Sequence, residues 1–309
     1  MSKNKETNYT PNRLQRVSLP AEISFHVLLA VFCAFCIIPF IFVVIISFSA
    51  EESIRTIGYS FHPTAWSFDA YRYVIKLGRQ LWVSYFNSFY VTILGTALSL
   101  FFSVLYAYAL YRKDFKFKSF FTMFAFFTTL FGGGLAPTFM VCKQLLGLND
   151  NYAALIVPAL ISPFNIIILR TFLKSSIPEE LIEAAAIDGS SEYKTLFRIV
   201  LPLAKPGLAT VGLLTALSYW NEWQLAMLYI KNANRVPLQY LLMKMQNQSD
   251  FLLKNAALIG TEASKMLLEL PGQSLRMALV VFIVVPIAFA YPFFQRYIIS
   301  GLTIGSVKG

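Results

Sequence analysis

The sequence predicts an all-α integral membrane protein with six transmembrane helices and both termini in the cytoplasm. Three observations carry that prediction. The 309 residues are 57% hydrophobic and only 14% charged, against about 25% charged in an ordinary globular domain. A soluble fold of this size could not hide so much apolar surface, so the bilayer must act as its solvent. Six runs reach the ~20 apolar residues a membrane helix needs: 24–48, 83–110, 119–142, 152–173, 204–229 and 275–298. Lysine and arginine gather on one side of that map, as cytoplasmic anchoring requires. They are Lys3, Lys5, Arg13 and Arg16 in the tail, Arg112, Lys113, Lys116 and Lys118 in the second connection, and Lys174, Lys194, Arg198 and Lys205 around the fourth.

The elements follow in order. Residues 1–22 read as a polar cytoplasmic tail, 23–300 as one six-helix membrane domain, and 301–309 as a second cytoplasmic tail. The first run is too long for a signal-peptide core and reads as a retained helix. Cys33 and Cys36 form a C-x-x-C inside it, where thiolates are disfavoured; they and Cys142 read as small buried hydrophobes. His26 and His62 lack the companions of a metal-ligand set. The net charge of +10 is accounted for by the ends of apolar runs and needs no nucleic acid. Outer loops are expected at 49–82 and 230–274, where basic residues are spread thinly. The third run contains "FGGGLAP", with Gly132, Gly133, Gly134 and Pro137. Such a cluster breaks a helix beside a transport pathway, or packs closely against a neighbour; both readings stand.

The loop 173–203 is soluble in character. Pro178, Glu179 and Glu180 suit the first turn of a helix, and Gly189 suits its left-handed stop. Ser190 or Ser191 caps a second helix, in which Tyr193, Leu196, Phe197 and Val200 recur at i, i+3, i+4 and i+7, and Pro202 ends the element. Physics alone leaves two roles open: an amphipathic hairpin resting on headgroups, or a helix seated in a partner's groove.

The residues themselves go further. Glu183, Ala184, Ala185, Gly189, Ile199, Leu201 and Pro202 spell E-A-A-x3-G-x9-I-x-L-P. This resembles the signature of permease subunits in bacterial ABC importers, and "FNIIILRTFLKSSIPEELIEAAAIDG" and "YWNEW" are similar to the carbohydrate-uptake group. The likeness spans about residues 80–300. It implies a type I importer permease in the bacterial plasma (inner) membrane, whose loop 173–203 forms a coupling helix in a cleft of an ATPase subunit. Glu183, Ala184, Ala185 and Gly189 would make that contact, while Ile199, Leu201 and Pro202 would tie the loop to the fifth span. It further implies a second, homologous permease in a heterodimer, two ATP-binding subunits and an extracytoplasmic solute-binding protein.

The chain itself carries no phosphate cradle G-x4-G-K-[S/T], no nucleophile elbow and no histidine-rich metal motif. It is expected to be no enzyme and to hold no cofactor, with ATP and Mg confined to the partner ATPase. A solute would meet the polar and aromatic run Tyr219, Trp220, Asn221, Glu222, Trp223 and Gln224, because polar groups at membrane depth face cavities and aromatic walls with a few polar groups suit small ligands. Interfacial anchoring of the aromatics is the alternative. The loop 230–274 either approaches the binding protein or lies on the membrane. An ion-coupled secondary transporter would want buried carboxylates in several spans, and Glu222 is the only one well inside a run. An ABC permease for a non-sugar solute shares the coupling loop.

Overall fold

Apolar sequence and glycine–proline punctuation together set where this chain is straight and where it turns. The computed structural model describes residues 19–76, 78–248, 251 and 272–306, with side chains as far as 295. The basic residues Lys3, Lys5, Arg13 and Arg16 and most of 249–271 lie outside that range. Among the described residues the structure is helical, with a lone antiparallel bridge between Ser49 and Trp66.

Three helices are long and apolar enough to cross a membrane unaided. The first is α1, Leu19–Ser47, which begins inside the stretch read as a tail and buries only Ile46 and Ser47. After two short helices, α2 (Glu51–Ile57) and α3 (Asp69–Lys76), the 33-residue α4 runs from Arg79 to Tyr111. At the far end of the chain α14 covers Gln273–Ser306; Glu51 caps its first turn, accepting from the Gln273 and Ser274 backbone N–H groups at 3.0 and 3.2 Å.

The remaining apolar runs are bent pairs. In the third, α5 (Lys118–Leu130) and α6 (Leu135–Leu145) meet at 114°. Gly134 supplies the positive φ of +82° that the turn needs, and a Cβ at Gly132 or Gly133 would meet nothing within 4 Å. Within this chain the glycines therefore serve the break and not close packing. The fourth run is bent by 53° between α7 (Ala153–Ala159) and α8 (Pro163–Ser176), an interruption that Pro158 and Pro163 bring about. It is followed by α9 (Glu179–Ile187) and α10 (Glu192–Leu203). An 80° bend then leads into α11, Lys205–Trp220. The fifth run does not continue to 229: it stops at Trp220, and α12 (Gln224–Tyr229) follows separately. A 3₁₀ turn at Ala233–Arg235 and α13, residues 238–248, complete the described chain.

Helices in lipid gain nothing from mutual burial of oil and associate through close packing. Here α4, α8 and α11 pack together, and glycines set their approach. A Cβ on Gly95 of α4 would lie 2.7 Å from the Tyr219 ring, and one on Gly207 of α11 would lie 2.6 Å from the Phe172 ring. One core fills the end near Tyr108, Leu173, Ile182 and Val200. Another fills the opposite end, around Val91, Ile156, Tyr219 and Val236.

Candidate functional site

The signature residues fold into a helix, a glycine turn and a second helix. α9 starts after Pro178 in extended conformation and carries Glu179 and Glu180 in its first turn, where carboxylates oppose the helix dipole favourably. It ends in a Schellman turn: the Gly189 N–H reaches the Ala186 carbonyl at 3.0 Å, the Ser190 N–H reaches the Ala185 carbonyl at 2.9 Å, and Gly189 takes φ +72°. Ser191 then caps α10, its hydroxyl accepting from the Lys194 N–H at 3.4 Å.

Burial divides the signature. Ala185 points inward beside Ile182, and both belong to the buried part of the molecule, whereas Glu183, Ala184 and Gly189 are exposed. Ile187 is 86% exposed and Tyr193 75%. The apolar face expected on α10 therefore splits: Leu196 and Val200 enter the core, while Tyr193 and Phe197 stay outside. Of the last three signature residues, Leu201 packs against the core, Ile199 is half-buried and Pro202 is exposed.

Pro202 does not end the element, contrary to the sequence expectation. Helix continues through Leu203, and the 80° bend falls at the buried Ala204. The turn at Leu196–Val200 is π-helical; this widening accommodates a proline that lacks its N–H and would crowd an ordinary preceding turn. Pro206 in the first turn of α11 then fixes where the new helix starts.

The end of α4 braces this loop. The Tyr108 hydroxyl donates to Glu192 Oε2 at 2.7 Å, and the Arg112 guanidinium meets Glu192 Oε1 at 2.8 Å. The Tyr111 hydroxyl donates to the Ile177 carbonyl at 3.1 Å, and Lys113 pairs with Glu179. None of these four was singled out from sequence. Arg112 and Lys113 read only as orientation charges there, although "YAYALYRK" places both phenols and both cations at the end of one apolar run.

The second candidate stretch is a helix break. Tyr219 is 4% and Trp220 5% exposed, and both are turned into the bundle. The Tyr219 hydroxyl donates to the Ile156 carbonyl at 3.0 Å and the Trp220 indole N–H to the Ile283 carbonyl at 3.2 Å. Asn221 donates from Nδ2 to the Leu217 carbonyl at 2.9 Å, closing the end of α11, while its Oδ1 accepts from Gln239 at 3.2 Å. Glu222 Oε1 accepts the Leu225 N–H at 2.8 Å, at the start of α12. A break leaves backbone groups that lipid cannot satisfy, and these two polar side chains satisfy part of them. Trp223 and Gln224 are exposed and carry no such duty.

Beyond the break lies a residue that sequence reading passed over. Asp150, at φ +50°, accepts through Oδ1 from the backbone N–H groups of Lys231 and Asn232 at 3.1 and 3.0 Å, and Arg235 pairs with it. The Asn232 N–H first, then the Lys231 N–H and the positive charge of Arg235, hold its carboxyl below the usual carboxylate range.

Comparison with known proteins places the chain. Residues 24–304 match the family described as binding-protein-dependent transport system inner membrane component. The polygalacturonan/rhamnogalacturonan transport system permease protein YtcP of Bacillus subtilis is 38% identical, over 91% of this chain and 96% of that protein. The arabinooligosaccharides transport system permease protein AraQ of Halalkalibacterium halodurans is 31% identical over 90% and 94%. A solved bacterial ABC transporter involved in import of the acidic polysaccharide alginate contains a chain that superposes with a TM-score of 0.75 at 30% identity, covering 93% of this chain and 99% of that one. The chain belongs to this family. It is an inner-membrane permease component and not an enzyme, and it works with the other components of an ABC transport system.

Proposed function

We propose that this permease is one of two membrane-spanning subunits of an ATP-driven importer for an oligosaccharide or a related sugar. Support for the cargo comes from the relatives, whose names refer to polygalacturonan, arabinooligosaccharides and alginate. The observation that carries the mechanism is the loop 173–203: one face is welded into the helix core through Ile182, Ala185, Leu196 and Val200, and the other leaves Ala184, Ile187 and Tyr193 bare. An apolar patch on a soluble-facing loop wants a protein partner.

In this account the straight helices and bent pairs make six spans with both termini cytoplasmic. The sister subunit is homologous and not identical, two ATPases hold the ATP and its Mg, and an extracytoplasmic binding protein delivers the sugar. This chain holds no cofactor. Glu183, Ala184 and Gly189 seat the loop on one ATPase, while the buried Ala185 anchors α9 from behind. Closure of the ATPases pushes α9; Ile199, Leu201 and Pro202 pass the movement through the bend at Ala204 into α11. At the far end of α11 the exposed Trp223 and Gln224, with the free edges of Asn221 and Glu222, meet the solute, while Tyr219 and Trp220 hold that segment from behind.

Gentle detergent extraction with affinity capture of this chain tests the reading. Recovery of a second six-span protein and an ATPase, with ATP hydrolysis raised by a sugar-loaded binding protein, is the expected result. Recovery of the chain alone, under conditions that keep other transporters whole, would overturn it.

A further inference from the structure

The loop between α4 and α5 holds cations that the brace on α9 does not use. Lys113 is occupied by Glu179, but Lys116, Lys118, Arg170 and Lys174 form no ion pair among the described residues. Lys118 is half-buried, within electrostatic reach of Arg170 and Lys174, and its ammonium has only the Tyr111 carbonyl, at 3.4 Å. Like charges crowded without a counter-ion are unfavourable, and the arrangement wants an anion. A half-open groove of about 630 Å³ runs beside them, lined by Lys116, Lys118, Arg170, Thr122, Met123 and Phe126 among others.

Polarity along that groove is graded. Lys118, Thr122 and Phe126 follow one another at i, i+4 and i+8 on α5 and share a face; Ser119 and Met123 lie beside them. Cation, hydroxyl and apolar surface succeed each other at one helical turn, about 5.4 Å; the Thr122 hydroxyl donates to the Lys118 carbonyl at 2.7 Å, which leaves the neighbouring Ser119 hydroxyl to meet an ester oxygen. Met123 is 66% and Phe126 47% exposed among the described residues. A soluble phosphate would use the cations and leave the rest bare. A phospholipid matches all three levels: phosphate, glycerol ester and acyl chain.

We propose that this groove is a binding site for one anionic phospholipid of the cytoplasmic leaflet, its phosphate held by Lys118 and Arg170. The inference rests on the orientation proposed above, which puts this end of the molecule at the cytoplasmic surface, where anionic lipids attract basic residues.

The assembled transporter, reconstituted in nanodiscs of phosphatidylglycerol and phosphatidylcholine, provides the test. Lipid retained on this chain is read by native mass spectrometry. Expected is a preference for phosphatidylglycerol that falls about fivefold per cation removed in Lys118→Gln and Arg170→Gln and about 25-fold in the pair. Lys118→Arg and the distant Lys76→Gln should retain it. Equal retention of the two lipids, or a preference that survives the double substitution, overturns the site. So does equal thermal stabilisation by millimolar inorganic phosphate in pure phosphatidylcholine, which would assign the cations to a soluble anion. The readout is this chain's own mass, so a negative result leaves the importer reading standing.

Discussion

The two ends of α4 are both gripped, by different chemistry. At 33 residues the helix spans about 50 Å. Its first turns hold the segment 233–238 through neutral groups, of which Asn87 and Ser88 are buried. Gln80 donates to the Ala233 carbonyl, and Asn87 donates to the carbonyls of Asn234 and Val236 while accepting from Tyr152. Ser88 accepts the Leu238 N–H at 2.8 Å. Its last turn, with Arg112 and Lys113 just beyond it, holds the loop 173–203 partly through charged side chains, and Glu192 there is 59% exposed while Arg112 is 19% exposed. Breaking the first grip strands buried polar groups, which is costly. Breaking the ion pairs of the second returns Glu192 and Lys113 to water, which costs little, whereas the Tyr111 bond to the Ile177 carbonyl is buried. The polar grip is rigid at one end and yielding at the other, where the apolar contacts of Ile182, Leu196 and Val200 keep the loop seated; in the proposed importer this suits a helix that must stay attached while charged contacts shift.

Asn87→Ala should do most harm. It strips Tyr152 and two carbonyls of their buried partner, and we predict about 3 kcal/mol of lost stability, at ~1–3 kcal/mol per stranded group. A thermal unfolding shift worth less than ~1 kcal/mol would erase the contrast between the ends. At the middle of the rod, Gly95→Ala drives a methyl to within 2.7 Å of the Tyr219 ring; overpacking of this kind costs about 1–3 kcal/mol, visible in the same melt.

At the joint, effects on uptake should exceed effects on stability. Gly189→Ala meets no atom within 4 Å but must hold φ +72°, a local strain of about 1 kcal/mol. Gly189→Pro also removes the N–H of the turn, and we expect a folded, membrane-inserted chain with no sugar uptake. Normal uptake by that variant would separate the turn from coupling. Tyr108→Phe removes one bond to Glu192 and should cost about 0.5 kcal/mol while raising ATP hydrolysis per sugar carried; unchanged stoichiometry would make the brace purely structural.

The smallest effect lies at Asp150. Its carboxyl is held below its usual range, so its contribution is complete above about pH 4 and fades as pH falls through that lowered value. Asp150→Asn should flatten this acid limb of the melting curve and leave neutral pH nearly unchanged.

Much of this was legible in the sequence. Apolar length marked every long helix, "FGGGLAP" marked the 114° break, and the Gly189 turn followed from one residue type at one place. What escaped depends on partners far away in the chain. Tyr219 and Trp220 looked like cavity walls beside Asn221 and Glu222, but carbonyls of Ile156 and Ile283 claim them. The break at 221–223 was hidden because its own polar residues cap it, and they read from sequence as solute ligands. Pro202 read as a stop because a π turn that accommodates it has no signal in composition. Asp150 carries no local signal of its role, because the N–H groups that bond it lie about 80 residues onward.

The exposed face of α9 is where a coupling contact would be made. In an otherwise cysteine-free transporter, with Cys33, Cys36 and Cys142 replaced by serine, Ile187→Cys and the buried Ala185→Cys would be treated with a short thiol crosslinker. Ile187→Cys should join the ATPase subunit with a yield that changes on ATP binding, and Ala185→Cys should not react. Labelling of Ile187→Cys by a lipid-borne probe, with no ATPase crosslink in a transporter still active, would put α9 in the headgroups and contradict the coupling role.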